Sequence, residues 1–81
     1  MPRIKSGNYA THDLALASYL HALGYVLLSV DKTSPERVIF CLSTDSSIKS
    51  TIDRYNRGDC QINAKDYYKS IHILKSRLFE K

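Results

Sequence analysis

The feature that most constrains this chain is a change of hydrophobic period at Gly24. Before it, Leu16, Leu20 and Leu23 recur at i, i+4 and i+7, with Leu14 and Ala17 beside them. That repeat predicts an amphipathic helix of about three turns. Thr11 is suited to cap its start, Asp13 falls where the helix dipole favours negative charge, and Gly24 supplies a left-handed stop. After Gly24, Tyr25–Val30 and Arg37–Leu42 are rich in Val, Ile, Leu, Tyr and Phe. Between them lies the polar run Asp31-Lys32-Thr33-Ser34-Pro35-Glu36, which predicts a turn longer than the tight two-residue type. The chain must therefore combine a helix with an antiparallel hairpin. Under simple alternation Val26, Leu28 and Val30 share a face with Val38, Phe40 and Leu42. The other face then carries Tyr25, Leu27, Ile39 and Cys41, with Ser29 as the polar exception.

Two more helices follow. Ser43-Thr44-Asp45-Ser46-Ser47 offers capping groups before Ile48, Ile52 and Tyr55, again at i, i+4 and i+7, and Gly58 ends the segment. Asn63 with Asp66 three residues later resembles a capping pair. From Ala64 to Phe79 an apolar stripe runs through Tyr67, Ile71, Leu74 and Leu78, and Tyr68 and Phe79 widen it. The expectation is a small single α+β domain over residues 10–81, in the order α-β-β-α-α, with a two-stranded antiparallel hairpin packed against three helices. The first nine residues, with Pro2, Gly7 and Asn8 and little to bury, read as a flexible N-terminal arm.

Composition narrows the function classes. Eighty-one residues allow one domain, and 43% hydrophobic with 25% charged residues is globular usage that disfavours disorder. No apolar run approaches the length of a membrane span, and no secretory pattern of basic start, apolar block and cleavage site is present. A cytoplasmic protein without membrane contact is expected. Cys41 in an apolar run and Cys60 in a turn-like stretch do not make a disulfide framework.

Catalytic and metal chemistry lack a signature. His12 and Asp13 are adjacent on a helix start, where consecutive side chains diverge by about 100°, so they form a poor dyad. Ser18 and His21 can touch at i+3, but no carboxylate is placed to orient the imidazole. His12, His21, Cys41, Cys60 and His72 are scattered singly, without metal-ligand spacing. Gly7, Gly24 and Gly58 stand too far apart to cradle a phosphate. No enzyme activity, cofactor, metal or small-molecule substrate is expected.

Basic residues are the sustained feature. The net charge is +4, and Lys65–Lys81 holds five Lys or Arg against two acids. Lys65, Lys69, His72 and Ser76 fall along one side of the last helix, with Lys75 and Arg77 further on and Arg54 and Arg57 on the helix before. Such a surface can neutralise several phosphates, so these six cations are the candidate nucleic-acid contacts. The competing reading is a solvated face with lysines favourably placed near a helix C-terminus. The six tyrosines, without tryptophan, suit either a core or a protein interface. A lone two-stranded sheet is marginal and leaves a second apolar face uncovered, so a homodimer or higher closed oligomer through Tyr25, Leu27, Ile39 and Cys41 is also expected.

Thr11-His12-Asp13-Leu14-Ala15-Leu16-Ala17-Ser18-Tyr19-Leu20, ending in Gly24, resembles the T-x-D-L-x-L-A-x-Y-L opening of a family of short bacterial and phage proteins known as a domain of unknown function. The segment Asp66–Leu78 is similar to that family's closing helix, Tyr55 falls at its usual tryptophan or tyrosine, and the likeness covers Tyr9–Glu80. The resemblance brings no site or reaction with it. It implies a stand-alone accessory protein of bacterial or mobile-element origin. The resulting expectation is a small, non-enzymatic cytosolic binding module that associates with nucleic acid through its basic C-terminal helix. The alternative is a protein–protein interaction module, an adaptor or inhibitor, acting through tyrosines and an open sheet face.

Overall fold

A computed structural model describes residues 8–34 and 36–79. The chain runs β1 (Asn8–Thr11), α1 (Leu14–Ala22), β2 (Leu27–Ser34), β3 (Arg37–Ser43), α2 (Ile48–Asn56) and α3 (Ala64–Leu78). The α+β class and the α-β-β-α-α order after β1 match expectation. The two-stranded hairpin does not: the sheet has three antiparallel strands in the order β1-β3-β2. β1 lies along the other edge of β3, with Tyr9 opposite Leu42 and Thr11 opposite Phe40. Its four residues hold one large apolar side chain, too little for a local strand signal. Pairing arises because the bare edge of β3 offers unpaired backbone groups that Asn8–Thr11 can satisfy. Residues 1–7 of the expected arm lie outside the described residues, while Asn8 and Tyr9 open β1.

The hairpin also departs from simple alternation. β2 continues through the expected turn to Ser34, which pairs with Arg37. Asp31 Oδ1 accepts from the Thr33 amide at 2.9 Å and from its hydroxyl, a local bend at the register shift between Asp31 and Ser34. A second shift falls between Leu27 and Ser29: Leu27 opposes Leu42, yet Ser29 already opposes Cys41. The extra residue re-aims the strand before it. Leu27 and Tyr25 therefore pack against the core, whereas Val26 and Leu28 are 57% and 48% exposed. The inward set is Leu27, Val30, Val38, Phe40 and Leu42. Ile39 and Cys41 alternate with these on β3 and stand half-buried on the other side, as expected.

α1 is more enclosed than an amphipathic surface helix. Leu16, Ala17, Ser18, Tyr19 and Leu20 are all buried, five consecutive residues that cover the helix circumference. Its cap is Asp13, whose Oδ1 accepts from the amides of Ala15 (3.0 Å) and Leu16 (3.2 Å). Thr11, the expected cap, is taken into β1 and accepts from the Asp13 amide instead. Gly24 (φ +110°) and Gly58 (φ +78°) take the left-handed conformation that ends α1 and α2. α1 packs against β1, β3 and α3, and α3 reaches β2. Leu74 of α3 is fully buried among Leu16, Leu20, Phe40 and Leu42. α2 adds Ile48, Ile52 and Tyr55, the last with its ring centroid 5.3 Å from that of Tyr19. Among the described residues no helix is long and apolar enough to cross a membrane.

Candidate functional site

α3 is fixed at both ends. Asn63 Oδ1 accepts from the amides of Lys65 (2.9 Å) and Asp66 (3.3 Å), and Asp66 sits in the first turn, where the dipole favours it. At the far end Lys32 Nζ reaches from β2 to the carbonyls of Arg77 (3.2 Å) and Leu78 (3.5 Å), a cation on the negative end of the dipole. Tyr67, Ser70, Leu74 and Leu78 face the core. His21 Nδ1 and Ser70 Oγ, 2.8 Å apart, and the Tyr67 hydroxyl donating to the Ala15 carbonyl at 3.4 Å fasten α3 to α1. With rotation set, the rest of the helix must face solvent.

The sequence-predicted cations divide around this axis. At about 100° per residue, Lys65 lies opposite Leu74, Lys69 is about 140° from it on one side, and Lys75 about 100° on the other. All three are exposed. Arg77, about 60° from Leu74 and about 80° from Lys69, is half-buried. Arg54 and Arg57 are exposed on another helix end. Arg54 borders a shallow concavity with Leu23, Gly24, Tyr25, Asp45, Ser47 and Thr51, so it faces the α1–β2 turn. The six cations therefore form no single face; Lys65, Lys69 and Lys75 form the exposed group.

Two side chains missed by sequence reasoning belong to this surface. Tyr68 and Phe79, expected to widen the buried stripe, are 64% and 77% exposed. They stand about 120° and 140° from Leu74, so a helical projection anchored on Leu74 already turns them outward. The ring of His72 meets Tyr68 edge to face, centroids 4.6 Å apart and planes at 79°.

The family comparison bears on the whole of this architecture. The model of a family described as a domain of unknown function, DUF5659, matches residues 6–80, which include every strand and helix above. The chain belongs to that family. No curated protein and no solved structure matches it.

Elsewhere in the DUF5659 chain the surroundings of the remaining candidate side chains follow from the packing of α1, α2 and α3. Ser18 Oγ is buried without a hydrogen-bond partner among the described residues, and His21 Nδ1 lies against Ser70 Oγ. Burial raises the phenol pKa values of Tyr19, Tyr55 and Tyr67, and the Asp13 carboxylate raises the latter two further. The Cys60 Sγ lies 3.9 Å from the Tyr55 carbonyl, and both Cys41 and Cys60 are free thiols. Tyr25, expected at an interface, donates to Asp45 Oδ1 at 2.9 Å and lies 3.0 Å from Ser47 Oγ, tying α1's exit to the start of α2. Four of the five tyrosines from Tyr19 onward pack in or against the core; Tyr68 is the exception. α2 and α3 are separated by residues 57–63, longer than the three- or four-residue turn of a helix-turn-helix.

Proposed function

We propose that this DUF5659 domain is a small non-enzymatic binding module that holds nucleic-acid phosphates against the outer side of α3. The observation that carries the reading is the exposure of Lys65, Lys69 and Lys75 on the half of α3 turned from the core. Asp66, the acid within α3, lies about 180° round the helix from Lys75. Compact ammonium groups on a rigid helix contribute a sequence-independent attraction that weakens as salt replaces the released counterions. In this reading the protein is a cytoplasmic accessory factor, and its bacterial or mobile-element origin rests on the sequence resemblance. Fluorescence anisotropy with unrelated labelled oligonucleotides at low salt tests it. The Lys65→Glu/Lys69→Glu double variant is expected to lose affinity equally for all sequences and to flatten the salt dependence. Absence of binding by the unmodified protein at low salt refutes it.

A second reading, self-association, is favoured by the exposure of Val26 and Leu28. It keeps Ile39 and Cys41 from the expected interface and exchanges Tyr25 and Leu27 for these two residues. Light scattering at micromolar concentration separates the outcomes: a monomer mass refutes it, and a dimer mass that Leu28→Lys converts to monomer supports it.

A further inference from the structure

Along α3 the residues Lys65, Tyr68, His72, Lys75 and Phe79 follow one another at steps of three, four, three and four. At 100° per residue they fall within a sector of about 80°, over about 21 Å of helix axis. All five are exposed; the Tyr68 and His72 rings stand between the two lysines, and Phe79 ends the line. Two large aromatics left open on a domain with a thin core are a surface in want of a partner. The lysines beside them decide what kind. An apolar partner would have to strip water from Lys65 and Lys75 to reach the rings, with no compensating charge. A second copy presents the same stripe, which brings no anionic group to these lysines. A nucleic-acid strand supplies both complements, anionic phosphates for the lysines and flat bases for the rings. A duplex supplies only the first, since its bases are stacked and paired inside. Tyr68 is also held in place by the edge-to-face contact with His72, so a stacking base meets an oriented ring.

We propose that this stripe is a track for single-stranded nucleic acid, on which bases stack against Tyr68 and Phe79 while Lys65 and Lys75 hold the intervening phosphates. The inference rests on the reading of α3 as a phosphate-binding surface and names its substrate class.

The test is anisotropy at one low salt concentration with labelled oligothymidylate, labelled oligouridylate and a duplex, each of about twelve nucleotides or base pairs. Both single strands are expected to bind about tenfold more tightly than the duplex; the thymidylate and uridylate arms then show whether DNA or RNA is favoured. Tyr68→Ala and Phe79→Ala are each expected to weaken single-strand binding by about 5- to 100-fold and leave duplex binding unchanged, while Tyr68→Phe retains it. Both side chains are exposed, so the alanine variants should melt at the parent temperature. Alanine variants that bind single strands like the parent, or a duplex that binds as tightly as the single strands, overturn the track. The phosphate reading survives either result if Lys65→Glu/Lys69→Glu still weakens binding. Binding to none of the three probes overturns both.

Discussion

His21 Nδ1 stands 2.8 Å from Ser70 Oγ, a hydrogen bond between side chains 49 residues apart. Ser70 is 4% exposed and His21 is half-buried, so the bond is partly shielded from water. Ser70→Ala is expected to cost about 1–2 kcal/mol, because it leaves a polar ring atom unpaired at the α1–α3 contact. Urea midpoints measure this. An unchanged midpoint would show that the bond contributes nothing to holding the two helices.

Ser18 is the converse case. Its hydroxyl is fully buried and has no partner among the described residues. Ser18→Ala removes a desolvated polar group and improves helix propensity, so stability is expected to rise by about 1 kcal/mol. Thermal melting checks the sign. A fall of that size would mean the hydroxyl is bonded in solution.

Alkaline pH should unfold the protein through its tyrosines. The folded phenols of Tyr19, Tyr55 and Tyr67 have pKa values above the ordinary 10.0, chiefly from burial. Between pH 10 and those raised values the unfolded chain releases protons that the folded one keeps, so stability is present below pH 10 and declines above it. Phenolate absorbance and helical circular dichroism, followed together, should show part of the tyrosine ionisation coinciding with loss of helix. Ionisation of all six tyrosines with the helix signal intact would contradict it.

The shift between Leu27 and Ser29 makes neighbouring leucines unequal. Leu27 packs against the core and Leu28 is 48% exposed. Leu27→Ser is expected to destabilise by roughly 1–3 kcal/mol and Leu28→Ser by less than about 0.5 kcal/mol. The reverse order would restore simple alternation to β2.

What could be read in the sequence was what local chemistry decides. Asn63 caps α3 because its carboxamide reaches amides two and three residues on. Gly24 and Gly58 stop helices because left-handed backbone suits glycine. Leu20 and Phe40 are buried as their periodic positions require, at 0% and 2% exposed. β1 was not legible, since Asn8–Thr11 becomes a strand through β3, some 30 residues distant in the chain. The inward turn of Leu27 was hidden for the same reason, because a register shift is a property of two strands. On α3 the lysines were legible by charge. The exposure of Tyr68 and Phe79 depended on where Leu74 and Ser70 anchor the helix, which an apolar count does not reveal.

The placing of β3 between β1 and β2 has a consequence for synthesis on the ribosome. β1, α1 and β2 all emerge before the strand that joins the first to the third, and β1 and β2 do not pair with each other. No bond of this sheet can therefore form until Arg37–Ser43 is outside the exit tunnel. Leu16, Tyr19 and Leu20 then still wait for Leu74, on the last helix described, to close over them. Folding of this domain must therefore wait for α3, with apolar surface open to chaperones until that helix has emerged. A chain that stops before α3 is accordingly left with Leu16, Leu20, Phe40 and Leu42 open on the side that Leu74 closes.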